Sequence, residues 1–129
     1  MRRIVDVLLA GIFIDSGADV LRHPEPRAET AATTLEVVSR FPVLPDDPIA
    51  LVRLNAAAQL VAGAALAAGF FDRVAALALA ASLVPTTVGG HAFWREDDPV
   101  RRSAQRTQLA KNLAILGGLI AVATRNRLR

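Results

Sequence analysis

The chain has no cysteine and no tyrosine, a single lysine, two histidines and six aromatic side chains. Each shortage removes a class of chemistry. Without cysteine there is no disulfide framework, no thiol nucleophile and no thiolate-bound zinc or iron–sulfur cluster. The two histidines, His23 and His91, stand far apart and outside any cluster of ligating residues, so no protein-ligated metal site is expected. One lysine and few aromatics also argue against a nucleic-acid surface, which gathers cations on one face, often beside stacking rings. No glycine-rich phosphate loop and no nucleophile–base–orienter set is present.

What is there is apolar. Of 129 residues, 53% are hydrophobic and only 21% charged, with a mean hydropathy of +0.37. Such a chain is too apolar to be disordered and too short for two ordinary domains, so a single domain over 1–129 is expected. The net charge is +3 and the pI about 10.9. The arginines, however, fall in short clusters between long apolar runs, which is a membrane pattern.

There are four such runs, and the spans expected from them are about 4–21, 51–71, 73–94 and 107–124. The first follows Arg2 and Arg3, as a signal peptide would. It is interrupted by Asp6, Asp15 and Asp19 and followed by three more runs, which favours a retained helix. Leu54 to Phe71 carries no charge over 18 residues, and Val74 to Trp94 none if His91 is neutral. A soluble bundle would show a charged face at helical spacing, and these two runs have none. The fold expected is all-α: an integral membrane four-helix bundle, up-down-up-down.

Helix boundaries are marked. Asp47-Pro48 and Asp98-Pro99 each offer an N-capping carboxylate followed by proline at the first helical position. Asp72 is placed to cap the third helix after the Gly69-Phe70-Phe71 turn. Gly63 with Ala67, and Ala76 with Ala80, are small-residue pairs suited to close helix packing, as is Gly117-Gly118 within the fourth helix. The long link from Arg22 to Asp47 is expected to hold a short amphipathic helix in the first extracytoplasmic loop, with Ala31, Leu35 and Val38 on one face. Trp94 is expected to anchor the third helix at the interface.

With four spans, one side carries Arg2, Arg3, Arg73, Arg125, Arg127 and Arg129 in very short segments. The other carries seven arginines spread over longer loops that also hold eight acidic residues. Weighting cations close to the span ends places both termini in the cytoplasm.

Alternating direction brings the polar residues to one depth. Asp15 and Asp19 lie one helical turn apart near the outer end of the first helix. Arg53, Asn55 and Gln59 open the second helix. Thr86, Thr87 and His91 close the third, beside Pro85, and Lys111 and Asn112 lie in the first half of the fourth. The opposite half reads as nearly all Ala, Leu, Val, Gly and Phe. Charges in a bilayer are costly unless paired or hydrated, and Arg53, Lys111 and His91 are cationic candidates for the two carboxylates. Two readings fit. One is a polar pocket for a small polar or quinone-like headgroup, or for protons. The other is a salt-bridge network that fixes helix register.

These residues resemble the DoxX family of small bacterial membrane proteins. The carriers are Gly11-Ile12-Phe13-Ile14-Asp15-Ser16-Gly17-Ala18-Asp19, Arg22-His23-Pro24-Glu25-Pro26, and Leu51-Val52-Arg53-Leu54-Asn55 with Gln59. To these are added Leu83-Val84-Pro85-Thr86-Thr87, Gly90-His91-Ala92-Phe93-Trp94, and Gln108 through Lys111-Asn112-Leu113-Ala114 to Gly117-Gly118. The resemblance implies a four-helix protein of the bacterial cytoplasmic membrane. It also implies a link to quinone-coupled oxidation of reduced sulfur compounds or to redox homeostasis, where relatives act as membrane subunits. Lacking cysteine, this chain cannot itself exchange thiols and disulfides, so a redox role needs a quinone, another bound cofactor or a partner.

The expected function is therefore a non-catalytic or accessory membrane subunit of a redox-linked complex. Its partners would be the bilayer and redox proteins, with room for a second copy of itself. Quinone is its candidate cofactor. Its pocket would be lined by Asp15, Asp19, Arg53, Asn55, Gln59, Thr86, Thr87, His91, Lys111 and Asn112. A small proton-linked transporter and a scaffold docking soluble partners are the alternatives.

Overall fold

The computed structural model describes residues 1–28, 47–90 and 93–125. The expected amphipathic helix over Ala31–Val38 lies outside the described residues, as do His91, Arg127 and Arg129. The described part is helical, with no strand among its residues. Four long helices follow one another: α1 (Arg2–Arg22), α2 (Pro48–Ala68), α3 (Asp72–Gly90) and α4 (Pro99–Thr124). A 3₁₀ turn, Phe93–Arg95, precedes α4.

The caps form where the sequence places them at α2 and α4. Asp47 accepts a hydrogen bond from the Ala50 amide at 3.0 Å, and Asp98 from the Arg101 amide at 3.2 Å, each with proline at the start of its helix. These caps occupy backbone donors that the first turn leaves unpaired. At the other end of α2, Gly69 takes the left-handed conformation (φ 78°) and its amide reaches the Ala65 and Leu66 carbonyls. Only glycine holds that conformation without steric cost. The three-residue turn then sends α3 back along α2.

Neighbours in sequence are neighbours in space, with α1 against α2, α2 against α3 and α3 against α4. The α1–α2 seam is the tightest. A Cβ on Gly17 would stand 2.8 Å from the Ala56 carbonyl, and one on Gly63 would stand 3.0 Å from the Ile14 side chain. The two helices thus approach backbone to backbone, as small residues permit. Gly63 was legible as a packing residue, and its true opposite number is α1.

The apolar core sits at one end of this arrangement. Ala10 and Phe13 of α1, Leu66 of α2, Ala75, Ala76, Leu79 and Leu83 of α3, and Leu119 and Val122 of α4 form it. Outward faces are apolar too: Leu8, Val61, Val74, Leu77 and Val88 are exposed. Apolar groups facing both ways are what a lipid-solvated helix requires. Three stretches are long and apolar enough to cross a membrane: Pro48–Ala68, Asp72–Arg95 and Pro99–Thr124. α1 is as long as α2, but its least charged 18-residue window, 4–21, still holds Asp6, Asp15 and Asp19.

The apolar end is not uniformly dry. Asp6 is 1% exposed, and both its oxygens accept hydrogen bonds from Arg125, at 3.1 and 3.0 Å. The same guanidinium lies 3.6 Å from Asp72, and Arg73 donates to the Arg125 carbonyl at 2.8 Å. The hydrogen bonds it donates to Asp6, with the charges of Asp6 and Asp72, hold Arg125 above its ordinary pKa against the opposing effect of burial. This cluster corrects the expectation that this half is nearly all apolar. It also corrects the role of Asp72, whose carboxylate turns to Arg125 instead of capping α3. A bidentate guanidinium–carboxylate pair is strong because both acceptor atoms are met in the plane of the donor.

Arg125→Ala strands the buried Asp6 carboxylate and is expected to cost about 3–5 kcal/mol of stability. Asp6→Leu combined with Arg125→Leu is expected to regain most of that loss. Denaturation in mild detergent, followed by helical circular dichroism, measures both.

Candidate functional site

Above the apolar core lies a cavity of about 1020 Å³ walled by all four long helices. α1 contributes Ile12, Phe13, Asp15, Ser16 and Val20. α2 contributes Leu51, Val52, Leu54, Asn55, Ala56, Ala58 and Gln59. α3 contributes Ala78, Ala81, Ser82, Leu83, Pro85 and Thr86, and α4 contributes Gln105, Gln108, Lys111, Asn112 and Ile115.

Much of its polar wall is already hydrogen-bonded, and α3 is the hub. Asn55 of α2 accepts from the Ser82 hydroxyl at 2.7 Å and donates to the Thr86 hydroxyl at 3.1 Å. Asn112 of α4 donates to the Thr87 hydroxyl at 3.0 Å, behind the wall. Thr86 and Thr87 in turn donate to the carbonyls of Ser82 and Leu83, one turn back. Each asparagine amide thus bridges a neighbouring helix to a hydroxyl on α3. Such bonds hold apolar helices in register where no hydrophobic force acts between helix and lipid.

Pro85 interrupts α3 within this network. It lacks an amide hydrogen, so the carbonyl of Ala81 loses its helical partner, and both residues line the cavity. The Ser82 hydroxyl stands one residue further along α3. It bonds Asn55, which leaves the Ala81 carbonyl at the cavity wall without that side chain.

The expected site residues divide into groups. Asp15, Asn55, Gln59, Thr86, Lys111 and Asn112 come together at the cavity, with Thr87 behind Asn112. Arg53 and Asp19 are exposed and do not line it. His91 lies outside the described residues. Among the described residues no ion pair joins Asp15 or Asp19 to Arg53 or Lys111. Asp19 lies 3.8 Å from His23, one turn along α1, with both side chains largely exposed. The reason is local reach: an exposed carboxylate meets a neighbour on its own helix more readily than a cation on another. Gln59 is 5% exposed, faces the cavity, and has no hydrogen-bond partner among the described residues. Arg27 also reaches the wall, a placement no sequence signal announced because it depends on how the chain turns after α1. The Asp6–Arg125–Asp72 cluster was equally unannounced, since its members are 119 positions apart at the widest.

At the cavity mouth the link to α4 is held by side chains. Phe93 and Trp94 meet edge to face at 5.4 Å, and Arg106 lies 5.9 Å from the Phe93 ring centre. Trp94 stays exposed. Arg101 pairs with Glu96 at 3.3 Å and with Asp98 at 3.5 Å.

A double-mutant cycle with Thr87→Val and Asn112→Ala is expected to give a coupling energy of about 0.6 kcal/mol, the usual size for an interhelical bond in a membrane protein. Steric trapping or detergent unfolding measures it. Additive single effects would mean that the bond contributes nothing.

No curated protein and no solved structure matches the chain. The family model for DoxX matches residues 4–92, which takes in α1, α2 and α3 with the link between α1 and α2. That match covers well over half the chain and, with the apolar helices that bear the cavity, shows a multi-pass membrane protein that belongs to the DoxX family.

Proposed function

We propose that this protein is an accessory subunit of a redox-linked complex in the bacterial inner membrane, and that its cavity receives the polar head of a membrane-soluble molecule. The observation that carries this reading is Gln59. On a residue only 5% exposed, its amide has no hydrogen-bond partner among the described residues and opens to a cavity walled by four helices, where the polar head of a ligand or water can meet its hydrogen bonds. Ile12, Phe13, Leu51, Leu83 and Ile115 give the wall an apolar stretch, which suits the body of such a molecule.

The topology behind this proposal is a four-span up-down bundle. α1 qualifies as the fourth span by context more than composition. Its Asp6 is neutralised by Arg125, its Asp15 faces the cavity, and its Ile4, Val5, Val7 and Leu8 are exposed for lipid. In that arrangement the cavity lies in the outer leaflet, and the Asp6–Arg125 cluster lies at the cytoplasmic side with both termini. Quinone, reached from the bilayer, is the candidate cofactor of the complex. The chain supplies no catalytic set of its own, so oxidation and reduction belong to a partner subunit.

Purification in gentle detergent, with mass spectrometry of what accompanies the protein, tests this. An oxidoreductase subunit and a small amphiphile are expected together with it. Ala81→Phe, which fills the cavity, is expected to lose the amphiphile while helicity is retained. Ala64→Phe, on the outer face of α2, is expected to keep it. A protein that purifies with neither, yet shows pH-dependent solute flux in liposomes, would be a permease instead.

A further inference from the structure

We propose that the cavity selects an amphiphile with a zwitterionic head, its ammonium held by Asp15 and its anionic group by Lys111. This rests on the cavity reading above and names the ligand class for it.

The argument is one of subtraction. Asn55, Ser82, Thr86 and Asn112 have spent hydrogen-bonding groups on one another or on Thr87. Arg27 and Gln105 line the wall and are already engaged. Among the described residues, the side chains of Asp15, Ser16, Gln59, Gln108 and Lys111 line the same cavity with neither an ion pair nor a hydrogen bond, and of these only Asp15 and Lys111 carry charge. Asp15 comes from α1 and Lys111 from α4, so one unpaired carboxylate and one unpaired ammonium belong to different walls of one site.

Both side chains are exposed in the fold and line the cavity, and a charge at that place in a bilayer is stabilised by a partner or by water. Asp15 and Lys111 are not partners of each other. A purely anionic ligand would satisfy Lys111 and add repulsion at Asp15. A purely cationic one would do the reverse. A neutral head would leave both charges uncompensated. A molecule bearing both charges satisfies the two together and keeps the site neutral overall. Gln59, between the charged walls and the apolar core, can donate to or accept from the same head. Ile12, Phe13, Leu51, Leu83 and Ile115 surround an apolar body. The volume of about 1020 Å³ lies at the upper end for small-molecule pockets, enough for a lipid headgroup with the start of its chains. A free apolar amino acid presents the same pair of charges on a smaller body.

The full-length protein in detergent, exchanged against defined lipids and examined by native mass spectrometry, tests the proposal. The probes are phosphatidylethanolamine, phosphatidylglycerol, a neutral diglucosyl diacylglycerol, and free leucine. Phosphatidylethanolamine is expected to be retained at least about tenfold better than either other lipid, the margin one well-placed charge contact confers. Asp15→Asn and Lys111→Gln are each expected to remove that preference, with Lys111→Arg preserving it. Because neither side chain has a partner among the described residues, the variants are expected to keep the wild-type melting temperature, and Lys111→Arg guards against a folding artefact. Leucine bound in place of the lipid, with the same dependence on both charges, would support the zwitterion and identify its source as a free solute. Equal retention of all headgroups, or a preference that survives both substitutions, would overturn the proposal and leave the cavity reading standing. Failure of the wild type to retain any amphiphile would overturn both.

Discussion

A carboxylate buried in an apolar bundle must find a cation, and at Asp6 that requirement closes the structure. Asp6 stands near the start of α1, while Arg125 stands just past the end of α4. α1 and α4 otherwise touch little, since the principal seams run α1 to α2, α2 to α3 and α3 to α4. The bidentate pair is therefore the tie between the first and last helices, and Asp72 at the start of α3 joins the same guanidinium. A hydrophobic contact could hold these ends together as strongly, but it would tolerate sliding. A planar two-point pair does not, so it sets the relative height of α1 and α4.

The other end of the molecule solves the opposite problem. There the polar groups do not close on one another completely. Asparagines on α2 and α4 reach hydroxyls on α3 and so fix those three helices. α1 takes no part in that hydrogen-bond network and contributes instead through the close seam of Gly17 with Ala56 and Gly63 with Ile14. The result is a cavity whose frame is satisfied by protein and whose remaining groups are not. Pro85 adds a carbonyl without its helical donor to the same wall. A frame that is internally bonded can hold such groups in place without collapsing on them, which is the condition for a preformed binding site.

The reading of residues alone reached the helices, the capping aspartates and the depth at which polar groups gather. These follow from local rules, namely run length, proline at the first helical position, and alternation of direction along a short chain. It reached Asn55, Gln59, Thr86, Lys111 and Asn112 because each is a polar residue stranded in an apolar run. It placed Arg53 in the pocket for the same reason, and Arg53 points elsewhere: whether a side chain at a given depth faces the cavity depends on helix rotation, which side-chain packing settles. It paired Asp15 and Asp19 with cations by charge balance alone. Asp19 instead meets His23 on its own helix, and Asp15 has neither an ion pair nor a hydrogen bond from its side chain among the described residues.

The sequence by itself determined an all-helical, lipid-facing protein with its ionisable groups concentrated at known heights, since hydropathy and capping act over a few residues at a time. Only the tertiary structure decided which of those groups are satisfied and which are left over. Asp6 and Arg125 carry no local mark of being partners, because the pairing depends on four helices lying side by side. The same holds for Asp15 and Lys111, which have no partner among the described residues. Whether a polar group is spent or available is a property of its neighbours in space, and those neighbours come from three other helices.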